Sequence, residues 1–134
     1  MNRTHLEGAA EALAAQQGYA FHTGPEGDMA HTVRSYPAAW LAPLELHAVE
    51  GRSHGRATYD MTLHLLSSGA RLAPAERRTV QARMEEQTLE IFAALSLDER
   101  VLAVERLSVR PRTFALTPHG EISQTATARI VTFF

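Results

Sequence analysis

Two runs near the middle of the chain alternate apolar and polar side chains with a period of two. In the first, Leu44, Leu46 and Ala48 are separated by Glu45 and His47; in the second, Ala57, Tyr59, Met61, Leu63 and Leu65 are separated by Thr58, Asp60, Thr62 and His64. Successive side chains of a strand point to opposite faces, so each run carries one face for burial. Between them lies Glu50-Gly51-Arg52-Ser53-His54-Gly55, and two such runs around a Gly-containing loop predict a β-hairpin. Pairing Leu46 with Tyr59 and Leu44 with Met61 puts every apolar residue on one face. A slip of one residue would move the whole set to the other face, so the register is well specified. It sets His47 opposite Thr58.

A helical period governs two other segments. Leu6, Ala9, Ala10, Leu13 and Ala14 recur at helical spacing, with Thr4 and Glu7 placed as a capping box and Gly18 as the stop. The stripe is thin and Ala-rich, which suits a helix lying close against a sheet. Pro74 opens the second helix, which runs to Leu95. Val80, Met84, Thr88, Ile91 and Leu95 follow one face with Leu89 and Phe92 beside it, and Arg and Glu occupy the remainder.

The rest of the chain reads as strands and connections. Tyr19 to His22 is a short strand, residues 23–28 a surface loop, and His31 to Arg34 a brief edge strand. Ser96 to Arg100 reads as a single turn. Val101 to Arg110 is a strand whose apolar parity changes between Val104 and Leu107, which a β-bulge near Glu105 would produce. Pro111 to Gly120 is a ten-residue connection. Glu121 to Phe134 is a final strand, with Ile122, Ala126, Ala128 and Ile130 on one face and Val131 and Phe133 on the other. The order α-β-(β)-β-β-α-β-β predicts one α+β domain over residues 1–134. Its mainly antiparallel sheet would have about four to six strands, with two helices packed on one face. The second face is then exposed or covered by another subunit.

Composition narrows the function classes. An apolar fraction of 45% and a charged fraction of 21% are those of an ordinary soluble domain. A net charge of −2 gives no general drive toward nucleic acid or an anionic membrane. The absence of Cys removes disulfides, thiolate metal sites and Cys nucleophiles. The N-terminal residues form no apolar signal-type segment, and no apolar stretch nears the ~20 residues that span a bilayer. A soluble, cytoplasmic protein is expected.

Candidate chemistry is sparse. Seven His are spread so that no two lie closer than seven residues, which disfavours a shared metal. His47 and His64 are expected to be solvated side chains on the polar sheet face. No nucleophile elbow or phosphate-cradling Gly loop occurs, so no catalytic residue, metal or cofactor is expected. A loop beside a sheet end is where ligand sites gather, and there His22, Asp28, His31 and Tyr36 form an alternative pocket. Arg52, Arg56, Arg106, Arg110 and Arg112 form possible basic interface patches, Arg106 and Arg110 sharing strand parity. No aromatic residue interleaves with them to stack bases, so subunit contacts are favoured over nucleic acid. Trp40 reads first as core and second as an interface anchor.

The order of elements resembles the phage tail terminator or head–tail joining (neck) proteins. The resemblance rests on the N-terminal helix followed by the hairpin from Tyr36-Pro37 through Leu46 and back to Leu66, on the single helix 74–95, and on the closing strand pair joined through Leu116-Thr117-Pro118-His119-Gly120-Glu121. It implies a small α+β subunit that closes into a ring, often a hexamer, against a tail tube or connector. In that case the hairpin and the second sheet face would meet neighbouring subunits. The other open expectation is a small-ligand or enzymatic domain using the pocket at residues 22–36.

Overall fold

A computed structural model of the chain describes residues 2–112 and 115–134. It is an α+β fold. Helix α1 (Asn2–Gln16) leads into strand β1 (Ala20–Thr23), a 3₁₀ turn (Glu26–Asp28) and the one-turn helix α2 (Met29–Thr32). Strands β2 (Ala38–Leu41), β3 (Glu45–Glu50) and β4 (Arg56–Ser67) follow, then helix α3 (Pro74–Leu95) and strands β5 (Val101–Pro111) and β6 (Ile122–Phe133). The six strands form one sheet in the order β1-β2-β4-β6-β5, with β3 alongside β4 next to the end of β2. Among the described residues only β1 with β2 is parallel.

The hairpin register is the expected one at its centre: Leu46 lies opposite Tyr59. One residue later it changes. A bulge between Leu46 and Ala48 places Ala48, not His47, opposite Thr58, and Val49 opposite Ala57. Paired residues share a face, so Leu46 and Val49 both point to the helix side and Ala48 to the other. The strand β2 was hidden in the sequence because all four of its residues are buried and show no alternation.

Helices α1 and α3 pack on one face, as expected. Leu6, Ala10 and Ala14 of α1, and Met84, Ile91, Phe92 and Leu95 of α3, join Tyr59, Met61, Leu63 and Leu65 of β4 and Ile122, Ala126, Ala128 and Ile130 of β6 in the main core. The small Ala10 and Ala14 let α1 approach the sheet closely. Gly18, at φ 88°, ends this segment as expected. Thr4 does not cap α1, because the helix already includes Asn2 and Arg3. Helix α3 has the expected bounds; Glu76 accepts the Ala73 backbone N–H at 3.3 Å, half of a capping box, since Ala73 has no side-chain oxygen to return it.

Two expectations about the opposite face are corrected. Residues 31–34 do not form a strand. His31 and Thr32 end α2, and Val33 is buried in a second, smaller core with Met29, Ala38, Trp40 and Leu66, flanked by Tyr36 and Leu116. The chain therefore covers part of its own second face. The part left open carries Asp60, Thr62, Thr127 and Arg129. The bulge expected near Glu105 is present between Glu105 and Ser108, with Arg106 at φ 54°. Of the connection from Pro111 to Gly120, Thr113 and Phe114 lie outside the described residues.

Candidate functional site

One row of side chains crosses five strands on the face away from α1 and α3. His22 lies opposite Trp40, Trp40 opposite His64, His64 opposite Thr125, and Thr125 opposite Arg110. His22 stacks on Trp40 with ring centroids 5.9 Å apart and planes 25° from parallel. The Trp40 indole N–H donates to the Gly24 carbonyl at 2.9 Å, which satisfies its one polar atom in the second core.

His64 is the centre of this row. Its side chain is fully buried, against the expectation of a solvated sheet-face histidine. The reason is tertiary: the segment from Glu26 to Val33 folds over it, and a strand pattern alone cannot report a cover supplied from a segment distant in sequence. The Arg112 Nε–H donates to the Thr125 hydroxyl oxygen at 2.8 Å. That oxygen lies 2.8 Å from His64 Nδ1, so the Thr125 O–H is free to donate to Nδ1 and leave the proton on Nε2. Nε2 sits 3.2 Å from the Glu26 carboxylate, off the N–H direction, so the contact is electrostatic and not a formed hydrogen bond. Burial holds the His64 pKa below its ordinary value; Glu26 works against this and Arg112 with it. The imidazole is therefore neutral at neutral pH.

Hydroxyl, imidazole and carboxylate stand here in the order of an acyl-transfer triad. Thr125, however, is buried within a strand, and its oxygen already accepts from Arg112. What the arrangement does with the geometry it has is to tie the cover segment, through Glu26, to β4, β6 and the residue after β5.

The expected pocket residues do not converge. Asp28 and His31 are exposed at the ends of the 3₁₀ turn and α2. His22 is committed to Trp40. The Tyr36 hydroxyl lies 3.0 Å from that of Thr117, and its ring meets His119 edge-on at 6.3 Å. Burial pushes the Tyr36 phenol up, partly offset by that hydroxyl. The residue that sequence reading missed is Glu121. Its buried carboxylate accepts the backbone N–H groups of Leu116 and Thr117 at 2.7 and 2.9 Å and the Thr117 hydroxyl at 2.5 Å. Its signal was present in Thr117-x-x-x-Glu121 across a Pro-Gly turn, but only folding shows the carboxylate turned inward.

The basic residues also separate. Arg52 is exposed in the hairpin turn and Arg56 exposed at the start of β4, opposite Glu50 and Phe133. Arg110 is exposed, with its Nε–H 3.3 Å from the Ser108 hydroxyl. Arg112 is half-buried and spends its Nε–H on Thr125. Trp40 is core, not an anchor presented to a partner. Arg106 and Arg110 share the face away from α1 and α3, as expected, although the bulge lies between them. Arg106 lines a shallow depression of about 270 Å³ there with Asp60, Thr62, Thr127 and Arg129. Asp60 is held there between Arg129 and His47, each 3.4 Å away. Among the described residues no cluster of His, Asp and Glu forms a metal-holding group, and no helix is long and apolar enough to cross a membrane.

The outer edges of the sheet are the other candidate surface. Among the described residues β3 pairs only with β4, and β5 only with β6. All six residues of β3 are exposed, Leu46 by 52% and Val49 by 55%. Beside β5 an apolar groove of about 390 Å³ is lined by Leu89, Phe92, Ala93, Ser96, Val104 and Leu107. No protein-family model matches the chain, and no curated protein matches it in sequence.

Proposed function

We propose that the chain is a structural, self-associating subunit that works by ring assembly and protein–protein contacts, in the manner of phage tail terminator or head–tail connector proteins. The observation that carries this reading is β3. Free strand edges template association, and soluble monomers usually blunt them with Lys, Pro or a covering loop. β3 has no Pro and, among the described residues, no covering segment; it carries Glu45, Glu50 and an irregularity between Leu46 and Ala48, and presents Leu46 and Val49 to solvent. A second free edge, β5, ends the other side of the same sheet, with Leu102 exposed by 44%. Two unlike edges on one subunit make a heterologous contact, which closes into a ring when the rotation permits. In this reading the protein acts in the cytoplasm, and in the virion of a phage, with copies of itself and a tail tube or connector as partners.

Light scattering after size exclusion, over a range of concentrations, tests the reading. A stable oligomer of ring size supports it; a strict monomer counts against it. The hydroxyl–imidazole–carboxylate order at Thr125, His64 and Glu26 favours one second reading, a small-ligand or enzymatic domain. Reaction of the Thr125 hydroxyl with an acylating or phosphonylating probe, lost in His64→Gln, would establish that reading instead.

A further inference from the structure

We infer that β3 of one copy adds to β5 of the next as an antiparallel strand, forming a continuous intersubunit sheet. This rests on the self-association proposed above and names the surfaces that carry it. The first argument is direction. β3 is antiparallel to β4, β4 to β6 and β6 to β5, so β3 and β5 of one subunit run in opposite directions. A neighbour placed beside β5 without inverting the sheet therefore presents its β3 antiparallel to that edge. The helix faces of the two subunits then lie on the same side.

Register is the second argument. Four rows cross the sheet from one edge to the other. Val49 lies in a row with Ala57, Thr132 and Val101; Ala48 with Thr58, Val131 and Ala103; Leu46 with Tyr59, Ile130 and Val104; and Glu45 with Asp60, Arg129 and Glu105. Each edge carries one extra residue between the Leu46–Val104 and Val49–Val101 rows, since β3 is irregular between Leu46 and Ala48 and β5 between Val101 and Ala103. The two edges consequently match residue for residue. Leu46 meets Val104, Val49 meets Val101, and Ala48 meets Leu102.

Side-chain chemistry agrees with that register. Leu46 and Val49 point to the helix side, where the neighbour's groove of Leu89, Phe92, Val104 and Leu107 lies. Charge is complementary at one end of the contact. β3 carries Glu45 and Glu50 and no Arg, and the facing edge as far as the bulge carries Arg100 and Arg106 with Glu99 and Glu105. The register sets Glu50 at Arg100. It also sets Glu45 at Glu105, a like-charge pair opposite Arg129, whose Nε lies 3.4 Å from Asp60. One step limits the contact. β1 lies one strand farther out than β3, level with Val109 to Pro111. A neighbour seats only as far as Arg106, and there β5 carries the bulge that increases local twist and turns a strand aside.

The chain contains no Cys, so introduced thiols report on this contact alone. Ala48→Cys and Leu102→Cys replace exposed residues, and opposed antiparallel positions lie within reach of a disulfide. Under mild oxidation a mixture of the two single variants should give a covalent dimer, and the double variant a ladder ending at ring size. Either single variant alone should give none. Linking by Ala48→Cys alone would mean that like edges meet, and would overturn the inference. An oligomer that persists without any linking would overturn this contact while leaving self-association standing. A chain monomeric at every concentration would overturn both.

Discussion

His64 and Thr125 are 61 residues apart in sequence, yet Nδ1 of one lies 2.8 Å from the hydroxyl of the other, directly across the β4–β6 ladder. The pair is closed over by Glu26 on one side and Arg112 on the other. A buried imidazole held neutral in this way links stability to pH. The unfolded chain takes up a proton at this His near pH 6.5, whereas the folded chain resists it. Above that pH neither state is protonated here and the site adds no slope. As pH falls from about 6.5 toward the lower folded pKa, the unfolded state binds more protons and stability declines. Urea unfolding between about pH 7.5 and 5 should show this decline. Glu26→Gln should steepen it by removing the carboxylate that favours the imidazolium. A slope unchanged by that substitution would remove Glu26 from the account.

Asp98 titrates in the opposite way. Burial works to raise its pKa, but the Arg100 backbone N–H and His5 outweigh it, so the pKa is lowered. His5 Nε2 lies 2.7 Å from the carboxylate and the Arg100 N–H 2.9 Å, which joins α1 to the turn before β5. A carboxylate with a depressed folded pKa contributes stability above its unfolded value. That contribution is lost as pH falls through the folded one. Asp98→Asn should cost about 1 kcal/mol at neutral pH, the scale of a partly exposed charged hydrogen bond. The unfolding midpoint at pH 7 and again near pH 3 would check it, since the difference from wild type should shrink in acid.

Glu121→Ala should be severe. It strips two backbone N–H groups and a hydroxyl of their shared acceptor inside the fold. A loss of about 3 kcal/mol is expected, because hydrogen bonds to a buried charge are expensive to leave unmade. Glu121→Gln keeps one accepting oxygen and should cost less. Chemical denaturation of the two variants side by side distinguishes this role from simple bulk.

Gly55→Ala should fail for steric reasons. A Cβ there would run into the Glu50 carbonyl oxygen and come 2.7 Å from the Phe134 ring. Gly55 also exchanges both backbone hydrogen bonds with Phe134, at 3.2 and 3.0 Å. Overpacking of this kind costs roughly 1–3 kcal/mol, and the C-terminal residues should lose hydrogen-exchange protection along with the hairpin turn.

The double variant Leu46→Asp/Val49→Asp separates folding from assembly. Both side chains are more than half exposed in the monomer, so the folded monomer should lose no more than about 1 kcal/mol, beyond the concentration-dependent stability that assembly adds to the wild type. Solution mass should fall to that of a monomer. An oligomer that survives this change is held together elsewhere.

The elements themselves were largely written in the chain. The 22 residues of α3 follow from Pro74 and a clean 3.6-residue stripe, and the pairing of Leu46 with Tyr59 follows from two alternating runs that fit in only one way. The bulge in β5 follows from a parity change that a regular strand cannot carry. Local periodicity determines such features because burial on one face is a property of neighbours in sequence. Tertiary structure decided the rest. β2 is buried on both faces and so lost its alternation, and the segment 26–33 became a cover because Met29 and Val33 found Trp40 and Leu66. His64 turned from an expected solvated side chain into a buried one for the same reason. Its polar partners, Glu26, Thr125 and Arg112, come from three separate parts of the chain, and no local pattern brings them together. The outer edges were decided in the same way, since a strand is free only when nothing else in the fold has come to pair with it.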